Sequence, residues 1–153
     1  MVVGARPDQL GLVRWAIGRF ERARMRPPDV EVRFYADLSG CGGNSGYAVD
    51  GTVDMCMTHV DAITRATLLH EMGHTWLDAN VSAELRGRFL RLRSLDGWND
   101  PEQPWALRGY EQGAEVISWE LGDRVFMPSI PDNGPSAVDA AFELLTGGHA
   151  GRR

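Results

Sequence analysis

Apolar and polar residues follow two different periods along the chain, and each period predicts a different element. Apolar residues recur at three- and four-residue spacing over 8–25, which is typical of an amphipathic helix. Segment 30–36 alternates apolar and polar residues and is rich in β-formers, so it predicts a strand. In 47–57 the pair Asp50-Gly51 separates two short apolar runs, which predicts a β-hairpin.

The second half of the chain has the pattern of helices joined by loops. Thr58 to Asp61 has the form of a capping box, so we expect a helix from there to about Ala79. The remaining predictions are helices after Ser82, over 109–121 and over 135–146, a loop over 94–108 and a flexible tail over 146–153.

The order of these elements predicts an α+β fold in one domain spanning residues 1–153. We expect a small, mostly antiparallel β-sheet packed on the helix that ends near Ala79, with additional helices toward the C-terminus. A length of 153 residues and a hydrophobic content of 43% suffice for one buried core.

Composition narrows the classes of partner. The net charge of −5 argues against nucleic acid as a partner. No run of about 18 apolar residues is present, which argues against a membrane span. The sequence leaves the oligomeric state open.

The state of the two cysteines, Cys41 and Cys56, would indicate the cellular compartment in which the protein functions. A disulfide between them would contribute about 3 kcal/mol and would imply export after removal of a leader. Two free thiols in a complete cytoplasmic chain are the alternative. We expect the disulfide, because the turn-rich loop GCGGNSG has little else to hold it.

The segment TLLHEMGHTWLDA, residues 67–79, contains the candidate chemistry. His70 and His74 lie four residues apart, so a helix projects both from one face, where they can bind one zinc ion. Glu71 lies about 100° further round the helix, where it can take a proton from a zinc-activated water. We therefore predict one Zn²⁺ per chain, with Glu71 as the general base.

A helix that places two histidines at this spacing by chance is the alternative interpretation. Only four histidines occur in the chain, and the helix is otherwise apolar, so its polar groups are concentrated at the motif. Gly73 is also informative, because a glycine in mid-helix costs about 1 kcal/mol relative to alanine. Its presence suggests that another backbone or a ligand shell packs very close.

A catalytic zinc usually has three protein ligands, and the best third candidate lies in GYEQGAEVISWEL, residues 109–121. Glu111 and Glu115 share one face of that predicted helix. If Glu111 binds the metal, Glu115 can accept the other ring N–H of a ligand histidine. If Glu115 binds the metal, its neighbour one turn on is Trp119, which cannot accept a proton. We predict Glu111 as the ligand and keep Glu115 as the alternative ligand.

HEMGH at 70–74 and EQGAE at 111–115 together resemble zincin metallopeptidases of the gluzincin type, in a minimal single-domain form. Glu111 and Ala114, followed by an aliphatic helix and Met127-Pro128, are similar to ImmA/IrrE-like peptidases. The astacin-type extension is excluded, because Leu77 and Asn80 occupy its glycine and third histidine positions.

The resemblance implies a zinc-dependent hydrolase of peptide bonds, with a peptide or protein as substrate. It also implies that a strand within 52–57 receives the substrate backbone by edge pairing. Candidate oxyanion donors are Tyr110, Tyr47 and His59. Trp98 and Trp105 either line the cleft or pack their loop onto the core.

Two other functions remain open from the sequence. One is a catalytically silent zincin-fold module that binds a partner protein or peptide. The other is an α-helical domain without a metal.

Overall fold

The computed structural model describes residues 2–3, 5–57, 59–123, 130–131 and 133–148. The helices are α1 (Pro7–Arg22), α2 (Ala62–Asn80), α3 (Ala83–Arg93), α4 (Gly109–Leu121) and α5 (Pro135–Thr146). The strands are β1 (Val2–Val3), β2 (Glu31–Phe34), β3 (Gly46–Val49) and β4 (Thr52–Met55). This is the predicted α+β class. Thr58, the Met127-Pro128 pair and 149–153 of the predicted tail lie outside the described residues.

The sheet is mixed, with strand order β1-β2-β4-β3. β1 and β2 are parallel, β2 and β4 are parallel, and only β3 and β4 are antiparallel. The prediction of a mostly antiparallel sheet was therefore wrong. The hairpin turn was correct, and Asp50 and Gly51 both have positive φ, at 47° and 76°. β3 runs antiparallel to β2, and the hairpin turn then reverses the chain. β4 therefore runs parallel to β2 where the two strands pair.

Two helix starts depend on side-chain caps. Asp61 accepts a hydrogen bond from the Thr64 backbone N–H, so α2 begins at Ala62, later than the predicted start at Thr58. Ser82 accepts from the Leu85 backbone N–H and begins α3, as predicted. The bounds of α4 and α5 also agree with the prediction, whereas α1 ends at Arg22, before the predicted 25.

Helix α2 lies at the centre of the core, between the β3–β4 hairpin and α4. Its apolar side chains Leu68, Leu69, Met72 and Leu77 are at most 1% exposed. Burying each such side chain stabilises the fold by about 1.5–3 kcal/mol. The same helix also buries four polar residues, Thr64, His70, Glu71 and His74.

The contact between α2 and α4 is close because the facing residues are small. A Cβ built on Gly73 would lie 3.3 Å from both the Cα and the carbonyl oxygen of Ala114. About two turns nearer the start of α2, the Ser118 hydroxyl donates to the Ala66 carbonyl at 2.8 Å. This backbone approach explains the mid-helix glycine and fixes α4 alongside the HEMGH segment.

Cys41 and Cys56 form a disulfide, as expected. It joins a 3-10 turn at Leu38–Cys41 to the residue that follows β4. The Cys56 backbone N–H also donates to the Ser45 carbonyl at 2.9 Å. The segment leading into β3 is therefore held at both of these points.

Segment 94–108 is mostly loop, with a 3-10 turn at Trp105–Leu107. Trp98 packs edge-on against Phe89 and Tyr110, so this tryptophan fixes the loop to the core. Among the described residues, no helix combines the length and hydropathy needed to cross a membrane.

Candidate metal centre

Two helices bring three metal-binding side chains together. His70 and His74 project from the same face of α2, with ring centroids 4.7 Å apart. Glu111, from the first turn of α4, lies across from them. Its Oε2 atom is 3.2 Å from the Nε2 atoms of both His70 and His74. One ligand atom from each of the three residues lies within 4.8 Å of the others, so this group could hold a metal ion.

For each of these three side chains, burial shifts the pKa in one direction and the contacts between histidine and glutamate shift it in the opposite direction. Burial alone would lower the pKa of His70, but its contacts with Glu111 and Glu115 and the charge of Glu71 outweigh it and raise the pKa to about 10. Burial dominates at His74 and lowers its pKa, despite the contact with Glu111. Burial would raise the pKa of Glu111, but its two histidine contacts lower it to about 2.

Glu115 lies one turn after Glu111 and is buried on the other side of His70. Its Oε2 atom is 3.4 Å from His70 Nδ1, a distance for an ion pair whose geometry forms no hydrogen bond. Of these two residues, only Glu111 joins the group that could hold a metal. Glu115 is positioned to orient the His70 ring through its remote nitrogen.

Glu71 is buried, at 8% exposure, and lines the same cleft as the three candidate ligands. Burial raises its pKa to about 7; the charge of His70 lowers it and that of Glu111 raises it further. Gly46 at the start of β3 lies against it. A Cβ on Gly46 would come within 2.8 Å of Glu71 Cγ and of Thr67 Cγ2. Any larger residue at position 46 would therefore overlap the Glu71 side chain in its present position.

The cleft has a volume of about 510 Å³ and is bounded by β3, α2, α4 and the loop before α4. It is lined by Asn44, Ser45, Gly46, Tyr47, Ile63, Ala66, Thr67, His70, Glu71, His74, Trp105, Arg108, Glu111 and Glu115. The Trp105 ring stacks beside His70, with centroids 6.0 Å apart and planes 27° apart. Trp105 thus forms part of the wall, unlike Trp98.

The three candidate oxyanion donors lie in different places. Tyr47 is 52% exposed and lines the cleft. The ring of Tyr110 lies 4.2 Å from that of His74, and its hydroxyl donates to Asp78 at 2.7 Å. Tyr110 is not among the cleft-lining residues, and burial together with the Asp78 contact raises its pKa. His59 lines a separate cavity with Asp37 and Asp61. Nothing in this arrangement supports Tyr110 as the donor.

The expected substrate strand within 52–57 was wrong. β4 lies between β2 and β3, so its backbone groups are paired on both sides. β3 is an outer strand of the sheet, and its residues Gly46 and Tyr47 line the cleft. Sequence reasoning placed the hairpin correctly but could not determine which strand lies at the edge.

Sequence reasoning also missed Gly46 and Arg108. No local signal marks Gly46, since the Glu71 side chain that it accommodates is 25 residues away. Arg108 did have a signal: it is the single basic residue of 94–121, a stretch that holds six acidic residues, Asp96, Asp100, Glu102, Glu111, Glu115 and Glu120.

Compared with known proteins, the chain matches no family model, no curated protein and no solved structure. The resemblance to gluzincins therefore depends on its two sequence motifs alone.

Proposed function

We propose that this protein is a zinc-dependent metallopeptidase of the zincin type. The observation that carries the proposal is the convergence of His70, His74 and Glu111, with Glu71 beside them in one cleft. Each residue of HEMGH that the chemistry requires is directed into that cleft. The partner carboxylate comes from the helix predicted to supply it.

The residues present fit a zinc ion. Two imidazoles and one carboxylate are donors that zinc accepts in catalytic sites. The Nε2 atoms of both histidines are directed at the same carboxylate oxygen. The Nδ1 atoms of both are buried and lack a hydrogen-bond partner among the described residues, and that of His70 lies 3.4 Å from Glu115 Oε2. His70, His74 and Glu111 would hold the ion, and Glu115 would orient His70.

Within this proposal each residue has a defined task. A zinc ion at the three ligands would supply Lewis acidity, which acidifies a water molecule and polarises a carbonyl. Glu71 accepts the proton of the attacking water and then delivers it to the leaving amine. Its burial favours proton acceptance, because desolvation makes a carboxylate a stronger base than it is in water.

The outer edge of β3 is the proposed site for the substrate backbone. Pairing with an exposed strand edge supplies main-chain hydrogen bonds without any requirement for side-chain identity. Gly46 and Tyr47 line the cleft, and Gly46 places this edge beside Glu71. An extended peptide bound there would place one of its carbonyl groups near the candidate ligands.

The test is a comparison of wild type with Glu71→Gln and His70→Ala. The proteins are purified without chelator or nickel, and zinc content and peptide hydrolysis are measured. We expect about one zinc per chain in wild type and in Glu71→Gln, little in His70→Ala, and hydrolysis in wild type only. Full activity in Glu71→Gln would contradict the mechanism. Zinc with no hydrolysis by wild type would favour the silent binding module, and absence of zinc from wild type would remove the metal proposal.

A further inference from the structure

Arg108 is a cation in the cleft whose charge is not paired with an acid. It lines the cleft together with three carboxylates, those of Glu71, Glu111 and Glu115. Its Nε donates to the Gln103 carbonyl at 3.0 Å, and its Nη2 donates to the Pro101 carbonyl at 3.2 Å. No described carboxylate lies within 4.0 Å of the guanidinium, and Nη1 has no partner among the described residues. The loop thus holds one edge of the guanidinium through Nε and Nη2, and no described residue accepts a hydrogen bond from Nη1.

Two backbone donors at the start of α4 are already used within the fold. The Gly109 backbone N–H donates to the Gly97 carbonyl at 3.0 Å, and that of Tyr110 donates to the Trp98 carbonyl at 2.6 Å. These bonds use the first backbone donors of the helix, which would otherwise attract an anion. Recognition of a negative group at this end of the cleft therefore falls to the Arg108 side chain.

We propose that Arg108 binds a substrate carboxylate next to the bond that is cleaved, so that the protein prefers acidic peptides. The inference rests on the proposed peptidase function. A planar guanidinium with free donors matches the two oxygens of a carboxylate, and charge-assisted hydrogen bonds are about twice as strong as neutral ones. The carboxylate can come from an Asp or Glu side chain or from the C-terminus of the peptide.

Three matched sets of peptides distinguish these sources. The first is a neutral peptide with an amidated C-terminus. The second places Glu for Gln at successive positions around the cleaved bond of the same amidated peptide. The third is the neutral peptide with a free C-terminus. Values of kcat/KM are measured for zinc-loaded wild type, Arg108→Gln, Arg108→Lys and the control Arg88→Gln, which removes an exposed arginine of α3 outside the cleft.

We expect wild type and Arg88→Gln to prefer one carboxylate-bearing set by about tenfold or more over the neutral peptide. Arg108→Gln should abolish that preference through KM, and Arg108→Lys should retain part of it because the charge remains. The set that responds identifies the source of the carboxylate.

A role for Arg108 in holding the 101–103 loop predicts a different result. Arg108→Gln and Arg108→Lys would then lose activity equally on every peptide, and the preference ratio would not change. That outcome, or cleavage of the neutral peptide by wild type with no preference, overturns the inference while the peptidase proposal stands. Cleavage of none of the peptides by zinc-loaded wild type overturns both.

Discussion

Gly46 lies so close to Glu71 that a methyl group on the glycine would overlap the glutamate side chain. The Cβ position is 2.8 Å from Glu71 Cγ and 2.9 Å from its Oε1. Gly46, in the outer strand β3, therefore limits the positions that the side chain of Glu71, the proposed general base, can adopt. The candidate metal ligands, in contrast, lie between α2 and α4, so the proposed base and these ligands can be perturbed separately.

Gly46→Ala should displace the Glu71 carboxylate without removing a ligand. We expect zinc content to stay near one per chain and peptide hydrolysis to fall about tenfold or more, since small displacements of catalytic groups are costly. Overpacking should also lower the free energy of unfolding by about 1–3 kcal/mol. Zinc analysis, hydrolysis rates and urea denaturation measure these effects.

Gly11→Ala is the matched control for that substitution. A Cβ on Gly11, in α1, meets nothing within 4 Å. This variant should keep full activity and gain up to about 1 kcal/mol of stability from helix propensity. Unchanged hydrolysis in Gly46→Ala would show that Glu71 does not depend on that contact.

Gly73→Ala should separate α2 from α4. Helix propensity alone would stabilise the variant by about 1 kcal/mol, but the new methyl group would meet the Ala114 backbone at 3.3 Å. A helix backbone moves only as a unit, so we expect a net loss of about 1 kcal/mol or more and weaker zinc binding. Denaturation curves and a zinc titration against a competing chelator measure both quantities.

Gly87→Ala, in α3, controls for propensity. The nearest atom to its Cβ is the Arg91 Nη1 at 3.7 Å, an ordinary contact with a flexible side chain. It should stabilise the protein and leave zinc affinity unchanged. If Gly73→Ala behaved in the same way, the space between α2 and α4 would be large enough to accept a methyl group.

Zinc should stabilise the folded chain through Glu111. At free zinc about 100-fold above Kd, a ligand of the native state adds about 2.7 kcal/mol, which for a domain of this size corresponds to a rise in Tm of about 5–10 °C. Glu111→Gln should lose most of this rise. Glu102→Gln, which changes an exposed loop carboxylate, should keep it. Equal shifts in both variants would assign the zinc effect to another part of the chain.

Removing the disulfide should destabilise the chain more than it affects zinc binding. Cys41 and Cys56 are 15 residues apart, and a closed loop of that length stabilises by about 3 kcal/mol. The double variant Cys41→Ser, Cys56→Ser should lose about that amount and retain zinc, because no ligand lies in the loop. Denaturation in the presence and absence of a reductant provides the control. Wild type should become as unstable as the variant on reduction, and the variant should not respond.

Tyr110→Phe tests whether the Tyr110 hydroxyl is an oxyanion donor. The hydroxyl donates to Asp78 outside the cleft, so we expect kcat to change by less than about threefold. Loss of an oxyanion donor typically lowers kcat by about 10²–10³. A decrease of that size, with zinc content unchanged, would assign the hydroxyl to the transition state despite its contact with Asp78.

The features predicted correctly from the sequence have local causes. Ser82 caps a helix through a residue three positions away, and Asp50-Gly51 forms a turn through its own backbone angles. The relation of His70 to His74 depends only on helix geometry. Each of these signals is contained within a few residues, so sequence alone was sufficient.

The features that were missed or wrong depend on contacts between distant segments. The parallel pairing of β2 with β4 leaves no mark within either strand, and it decides that β3, not β4, has a free edge. Gly46 is explained only by Glu71. The ranking of Glu111 over Glu115 used the spacing of the two residues, but their distances from His70 and His74 depend on how α4 packs on α2.

The close contact of α2 with α4 has a kinetic consequence. The candidate ligands come from both helices, and His70 and Glu111 are 41 residues apart in the chain. An ion held between them would act as a cross-link, so it would oppose separation of the two helices. The frequency with which this helix pair opens should therefore fall when zinc binds.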